Sequence, residues 1–190
     1  MEVSQETNQN SNITGNNQVI QKKLEQIEKR KIKKKKISQE AFLLLSVCLI
    51  TLFISLMMIV VVEGNSMNPS LFPGDMLLVL KNPKQYTSND VVLVKKKAVD
   101  RIWIKRIIGV PGDEIMITED GRVLCNGKEE KEGYGITKPG NELRYPIKLE
   151  KEEYFVMGDN RENSADSRTF GVIKRNELKG KAILLFWRRI

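Results

Sequence analysis

Three polar segments carry the residues whose types could do chemistry. Ser66 lies in Gly64-Asn65-Ser66-Met67-Asn68-Pro69-Ser70, Lys105 and Arg106 lie in the apolar run 101–109, and the loop Gly158–Arg168 is crowded with Asp, Asn, Ser and Arg. A serine becomes a nucleophile only when a base takes its proton. The chain has no histidine, which removes a Ser-His-Asp triad, a Cys-His pair and most zinc sites together. Lysine remains as a base, and it serves only when neutral. At an unperturbed pKa of about 10.4, roughly one lysine in a thousand is neutral near pH 7.4. Burial lowers that pKa by penalising the charged form. Strand alternation puts Trp103, Lys105 and Ile107 on one face and Ile102, Ile104, Arg106 and Ile108 on the other. Lys105 therefore has apolar company, as a lysine base would need. The competing reading is an edge-strand lysine directed into water.

The loop Gly158-Asp-Asn-Arg-Glu-Asn-Ser-Ala-Asp-Ser-Arg168 follows the strand-like run Tyr154–Met157. Closely spaced acidic and amide oxygens suit a calcium loop, but Arg161 and Arg168 within it argue against a cation cage. An Asp-Arg network would instead stiffen the loop and let hydroxyls orient a nearby base. Spacing leaves both these readings and a solvated loop open.

The elements that must position these residues follow from composition. The chain has 190 residues and a formal charge of +8, enough for one ordinary domain plus extensions. Much of the positive charge is gathered at Lys22, Lys23, Lys29, Arg30, Lys31 and Lys33–Lys36, which favours a membrane surface over nucleic acid as partner. Residues 1–40 form an N-terminal segment in which Met1 to about Val19 read as disordered and the lysine-rich part as a solvated helix. The uncharged run Ala41–Val62 is expected to be one transmembrane helix, about 33 Å long against a hydrocarbon core of about 30 Å. It is longer than the apolar core of a cleaved leader and lies far from the start, so an uncleaved anchor is expected. The cationic flank places the N-terminal side in the cytoplasm and residues 63–190 outside.

Residues 63–190 are expected to be mainly β. Short apolar runs at 76–80, 91–94, 102–108, 114–118, 122–125, 154–157 and 182–187 alternate with turn signals such as Glu119-Asp-Gly121 and Asn126-Gly127. A short helix is expected at Ile173–Leu178, and a polar surface excursion over Lys128–Glu152. Cys48 and Cys125 occupy such different settings that no disulfide is expected, and neither a metal nor a cofactor site is.

With these motifs in order, the chain resembles the type I signal peptidases (leader peptidases) of the short, single-anchor form. The resemblance runs from Ala41 onward. It rests on Gly-x-Ser-Met-x-Pro at Gly64–Pro69, Lys-Arg-x-x-Gly-x-Pro-Gly-Asp at Lys105–Asp113, the motif at Gly158–Arg168, and Gly180-Lys-Ala182 near the end. It implies a β-rich catalytic domain behind one membrane helix and a serine endopeptidase that removes signal peptides from secretory preproteins after small-x-small sites. Ser66 would be nucleophile and Lys105 general base. Ser164 would hydrogen-bond Lys105, Asp166 would pair with Arg168, Asp159 would engage Arg106, and Met67 would wall the pocket for a small side chain. Some members carry a serine two places before the nucleophile as an extra oxyanion donor. Gly64 stands there in this chain, and Ser70 replaces the more usual Thr.

The partners expected are preproteins and membrane phospholipid, with no nucleic acid and no obligate subunit. Two other readings stay open: a membrane-anchored peptide-binding or scaffold module without catalysis, and a self-cleaving Ser-Lys protease of the repressor-like kind, against which the anchor and missing DNA-binding segment speak. A sortase is excluded by the missing histidine.

Overall fold

The computed structural model describes residues 3–96, 101–130, 133–140 and 143–188. It divides into two units, Met1–Phe53 and Ile54–Ile190. The first unit holds most of helix α1 (Val3–Leu56). From Glu28 to Leu56 this helix is long and apolar enough to cross a membrane. Two of its hydroxyls bond within the helix: Ser46 Oγ donates to the Leu43 carbonyl at 2.7 Å, and Thr51 Oγ1 to the Val47 carbonyl at 3.0 Å. Helix α1 also runs through the polar start that composition had marked as disordered.

The apolar run Ala41–Val62 is not one helix. Helix α1 stops at Leu56, and Met57–Val61 form strand β1, paired antiparallel with β2 (Met76–Lys81) from Met57↔Leu80 to Val61↔Met76. Hydropathy is blind to this change, because the β-branched stretch Ile59-Val60-Val61 is as apolar as the helix before it. The difference lies in pairing: β2 offers a complete ladder of partners.

The second unit continues with β3 (Val91–Val94), β4 (Trp103–Gly109), β5 (Glu114–Ile117), β6 (Val123–Cys125), β7 (Lys128–Glu129), β8 (Ile147–Lys148), β9 (Glu153–Met157), a one-turn helix α2 (Ser167–Phe170), β10 (Ile173–Lys174), a 3₁₀ turn (Arg175–Glu177) and β11 (Leu178–Trp187). A seven-stranded sheet has the order β1-β2-β11-β3-β4-β9-β10, and a four-stranded sheet the order β7-β6-β5-β8. The domain is mainly β, as its turn-punctuated apolar runs imply. The Asn126-Gly127 signal is a two-residue hairpin joining β6 and β7, with φ of 51° and 74° at its two positions, the left-handed pair a type I′ turn requires.

Two further expectations change. The Ile173–Leu178 helix is replaced by β10 and the 3₁₀ turn, because Ile173 pairs with Tyr154 and is fully buried. The stretch Lys128–Glu152 is more than an excursion: it supplies β7 and β8, and Leu149 is 2 % exposed in the core.

Three apolar clusters hold this unit. One gathers Tyr86, Val92, Ile107, Val156 and Leu178; a second Ile108, Ile115, Leu149, Phe155 and Met157; a third Val62, Met67, Leu71, Leu77, Val79 and Leu93. Each large side chain removed from water contributes about 1.5–3 kcal/mol before entropy is counted. The third cluster matters for the site, since it fixes the segment on either side of Ser66.

Candidate active site

The Ser66 segment leaves β1 and turns back at once. Val62 donates to the Asp75 carbonyl at 2.8 Å and Gly74 to the Val62 carbonyl at 2.9 Å, clamping the ends of the loop. Buried Asp75 accepts the Phe72 N–H at 3.0 Å. Within the loop, Asn68 N–H donates to the Asn65 carbonyl and Leu71 N–H to the Met67 carbonyl. Met67, 1 % exposed, and Leu71 anchor it in the third cluster. Met67 is thus a core side chain directly after Ser66.

Strand β4 delivers Lys105 from the other side. It is held between β3 (Val92↔Lys105) and β9 (Arg106↔Met157). Lys105 is 2 % exposed, and its Nζ lies 2.7 Å from Ser66 Oγ. Among the described residues no carboxylate reaches ion-pair distance of that nitrogen. Burial therefore dominates its titration. It pulls the pKa down to about 8, assisted by Arg168 and opposed by Asp166 and Asp159. About a tenth of the amine is then neutral at pH 7, far more than in an unperturbed lysine. The edge-strand lysine in water is ruled out.

The loop Gly158–Arg168 is an ion-pair network. Arg106 meets Asp159 with two hydrogen bonds of 2.8 and 2.6 Å, and Arg168 meets Asp166 with two of 2.8 and 2.7 Å. Arg161 pairs with Glu130 at 2.7 Å and donates to the Gly158 carbonyl at 3.2 Å. Asp166 also caps α2 through the Arg168 N–H and accepts the Gly158 N–H at 3.0 Å. Ser167 Oγ accepts the Val156 N–H, tying the loop to β9. Among the described residues no acidic cluster is arranged to hold a metal ion; the carboxylates at 159 and 166 are engaged by guanidinium groups.

The structure brings together Ser66 with Lys105, Arg106 with Asp159, and Asp166 with Arg168. The expected hydrogen bond between Ser164 and Lys105 is not formed: Ser164 Oγ is buried without a hydrogen-bond partner. It lodges against Gly158, where an added Cβ would stand 2.2 Å from Ser164 Oγ and 2.5 Å from the Ser66 carbonyl oxygen. Only glycine permits that approach of the loop to the nucleophile. Sequence reasoning assigned no part to Asn160, whose N–H donates to the Ser66 carbonyl at 3.0 Å and whose Nδ2 donates to the Asn65 carbonyl at 3.2 Å. Its position inside the Gly158–Arg168 motif was the available signal. Glu130 carried none, being one acid in a polar stretch.

A hydroxyl 2.7 Å from a buried amine is a geometry in which a lysine can take a serine's proton. Comparison with known proteins narrows this. Residues 34–187 match the family described as "Signal peptidase, peptidase S26", and the chain belongs to that family of serine endopeptidases. It is 38% identical over 141 residues to signal peptidase I P of Bacillus subtilis subsp. natto, covering 67% of this chain and 75% of that one. It is 31% identical over 174 residues to signal peptidase I U of Bacillus subtilis strain 168, covering 81% and 91%. A probable signal peptidase I-2 of Synechocystis is 36% identical over 135 residues, and the match spans 66% of this chain but only 61% of that relative's length. A solved signal peptidase I from Enterococcus faecalis V583 aligns at 25% identity and a TM-score of 0.42, over 52% of this chain and 97% of that one.

Proposed function

We propose that this chain is a membrane-anchored endopeptidase that removes N-terminal signal peptides from secreted preproteins, cutting after small-x-small sites with Ser66 as nucleophile and Lys105 as general base. The observation that carries the reading is the 2.7 Å contact between Ser66 Oγ and a lysine amine that burial has brought toward neutrality.

In this mechanism neutral Lys105 accepts the Ser66 proton as Oγ bonds to the scissile carbonyl carbon. The carbonyl oxygen takes the electron pair, and the Ser66 N–H donates to it. Collapse breaks the C–N bond, and the Lys105 ammonium returns its proton to the leaving amine. Neutral Lys105 then deprotonates a water that attacks the acyl ester, and the ammonium reprotonates Ser66 Oγ as it leaves. Asp166–Arg168 and Asp159–Arg106 support the loop, Met67 shapes the wall beside the nucleophile, and Ser164 packs behind it.

Membrane attachment is supported by the apolar part of α1. From Ala41 to Leu56 it is about 24 Å long, flanked by Lys33–Lys36 on the side the charge bias assigns to the cytoplasm. The catalytic unit itself exposes Ile59, Val61, Phe72, Ile183, Leu184 and Trp187 on and beside β1 and β11, an apolar surface suited to resting on lipid. Signal peptides carry their apolar core in the same bilayer, so anchoring raises the effective concentration of enzyme and substrate.

The test is cleavage of a signal-peptide-bearing preprotein by the full-length protein in detergent with phospholipid, beside Ser66→Ala and Lys105→Ala. Cutting after a small-x-small site by wild type alone is the expected result. Equal cutting by all three sinks the Ser-Lys mechanism. Folded wild type that cuts no preprotein turns the reading toward a peptide-binding module.

A further inference from the structure

An oxyanion donor works by being aimed in advance at the place where charge develops. In the mechanism proposed above, on which this inference rests, that donor is the Ser66 N–H. Among the described residues it donates to no acceptor, so it is available to a substrate. What holds its direction is less evident, because the residue two places earlier is Gly64, in a left-handed conformation (φ 75°), around whose Cα there is open space. Gly64 itself supplies neither a hydroxyl nor packing.

We propose that Asn160 is the positioning residue that aims the Ser66 N–H. The N–H of Ser66 and the C=O of Asn65 are opposite ends of one planar peptide unit, so holding the carbonyl holds the donor. Asn160 Nδ2 donates to that carbonyl at 3.2 Å, beside the Asn68 N–H at 3.1 Å. The main-chain N–H of Asn160 donates to the next carbonyl, that of Ser66, at 3.0 Å. One residue therefore grips both peptide units that flank the nucleophile. Its amide orientation is set independently, since Asn163 N–H donates to Asn160 Oδ1 at 3.2 Å and leaves Nδ2 as the end that faces Asn65.

Asn160 is itself fixed. It forms a parallel bridge with Tyr134, in which Tyr134 N–H donates to the Asp159 carbonyl at 2.6 Å and Arg161 N–H to the Tyr134 carbonyl at 2.8 Å. A second consequence is electronic. A carbonyl that accepts two hydrogen bonds polarises its peptide unit and strengthens the donor at the other end. Asn160 thus compensates for the side-chain donor that position 64 lacks.

The experiment compares full-length wild type, Asn160→Ala and Asn160→Asp in phospholipid–detergent micelles. The aspartate is nearly isosteric and keeps the acceptor for Asn163, but it cannot donate to Asn65. Cleavage is measured together with the affinity of two peptides ending at the cleavage site. One is an aldehyde, which forms an oxyanion on attack by Ser66; the other has a reduced scissile bond and forms none. Losing an oxyanion donor outright costs about 10²–10³-fold, so misaiming it should lower kcat by about 10- to 100-fold in both variants. KM and reduced-bond affinity should stay within about twofold, and aldehyde affinity should fall in parallel with kcat. The pH midpoint of the Asn160→Ala enzyme should not move, because Lys105 keeps its surroundings. Wild-type kcat in the aspartate variant, or an equal fall in affinity for both peptides, overturns the assignment. Wild type that neither cleaves nor takes the aldehyde overturns the proposed function, and this inference with it.

Discussion

Lys105 and Arg106 are neighbours on β4, yet they sit in opposite electrostatic conditions. Arg106 reaches Asp159, 53 residues away in sequence, and meets it with a two-pronged ion pair. Lys105 is buried more deeply, 2 % exposed where the Arg106 side chain is 13 % exposed, and among the described residues its amine finds only the hydroxyl of Ser66. Arg168 follows the pattern of Arg106, pairing with Asp166 in the buried loop. Among the described residues the buried Arg161 and Arg168 are matched with carboxylates and buried Lys105 is not. The difference shows what the proposed base role of Lys105 would draw on: apolar enclosure that disfavours the ammonium, with carboxylates near enough to be felt but too far to pair. A partnered cation keeps its proton, while the unpartnered one can give it up near pH 8.

The most direct way to break this contrast is Lys105→Arg. A guanidinium cannot be deprotonated in this range, so the charge stays and the base is lost. Cleavage should fall by about 10⁴-fold or more, the scale seen when a nucleophile–base unit is disabled. Retained turnover in a preprotein assay would remove Lys105 from the mechanism. Asp166→Asn attacks the partnered side. It leaves the Arg168 guanidinium buried without its carboxylate and should cost about 3–5 kcal/mol of stability, measurable as a shift in denaturant midpoint of the purified protein.

The pH profile sharpens the contrast without a mutation. In the proposed mechanism the working form of Lys105 is the neutral one, and with its pKa lowered to about 8 activity should be full above that value and fall as pH drops through it. Between pH 9 and pH 6 the loss in kcat/KM should approach about 100-fold, roughly tenfold per unit once the amine is mostly charged. A flat profile over that range would contradict a lysine base. At the small end stands the pair Arg122–Asp120, 2.9 Å apart on the β5–β6 turn with both side chains more than half exposed. Solvent and salt screen such a pair, so Arg122→Ala should leave both unfolding midpoint and cleavage rate unchanged within error. A large effect there would show that surface charge, not buried pairing, governs this domain.

Much of this was legible in advance, for local reasons. Strand runs at 91–94 and 154–157 and the Asn126-Gly127 hairpin announce themselves through β-branched residues and turn chemistry a few positions apart. The missing histidine turned attention to lysine as a base, and the resemblance carried by Gly64–Pro69 and Lys105–Asp113 is what singled out Ser66 and Lys105. The end of α1 was not legible. Apolarity alone cannot distinguish a helix from a strand, and β2 lies some twenty residues further on. The packing of Ser164 Oγ against Gly158, without a hydrogen-bond partner, was not legible either, because it depends on how closely the loop's bare glycine Cα approaches the serine.

By itself the sequence determined the inventory: a serine and a lysine in recognisable motifs with no histidine beside them, a cationic flank before an apolar segment, and a β-rich remainder with its turns in place. These are properties of residue type and short-range periodicity, which need no knowledge of distant partners. The tertiary structure decided the rest. It set which cation would be paired and which left alone, how far burial would lower the pKa of Lys105, and that Asn160 would close on Asn65 across 95 residues of chain. The physical reason is that desolvation and hydrogen-bond geometry depend on what the fold brings within a few ångströms, and those neighbours come from segments far apart in sequence.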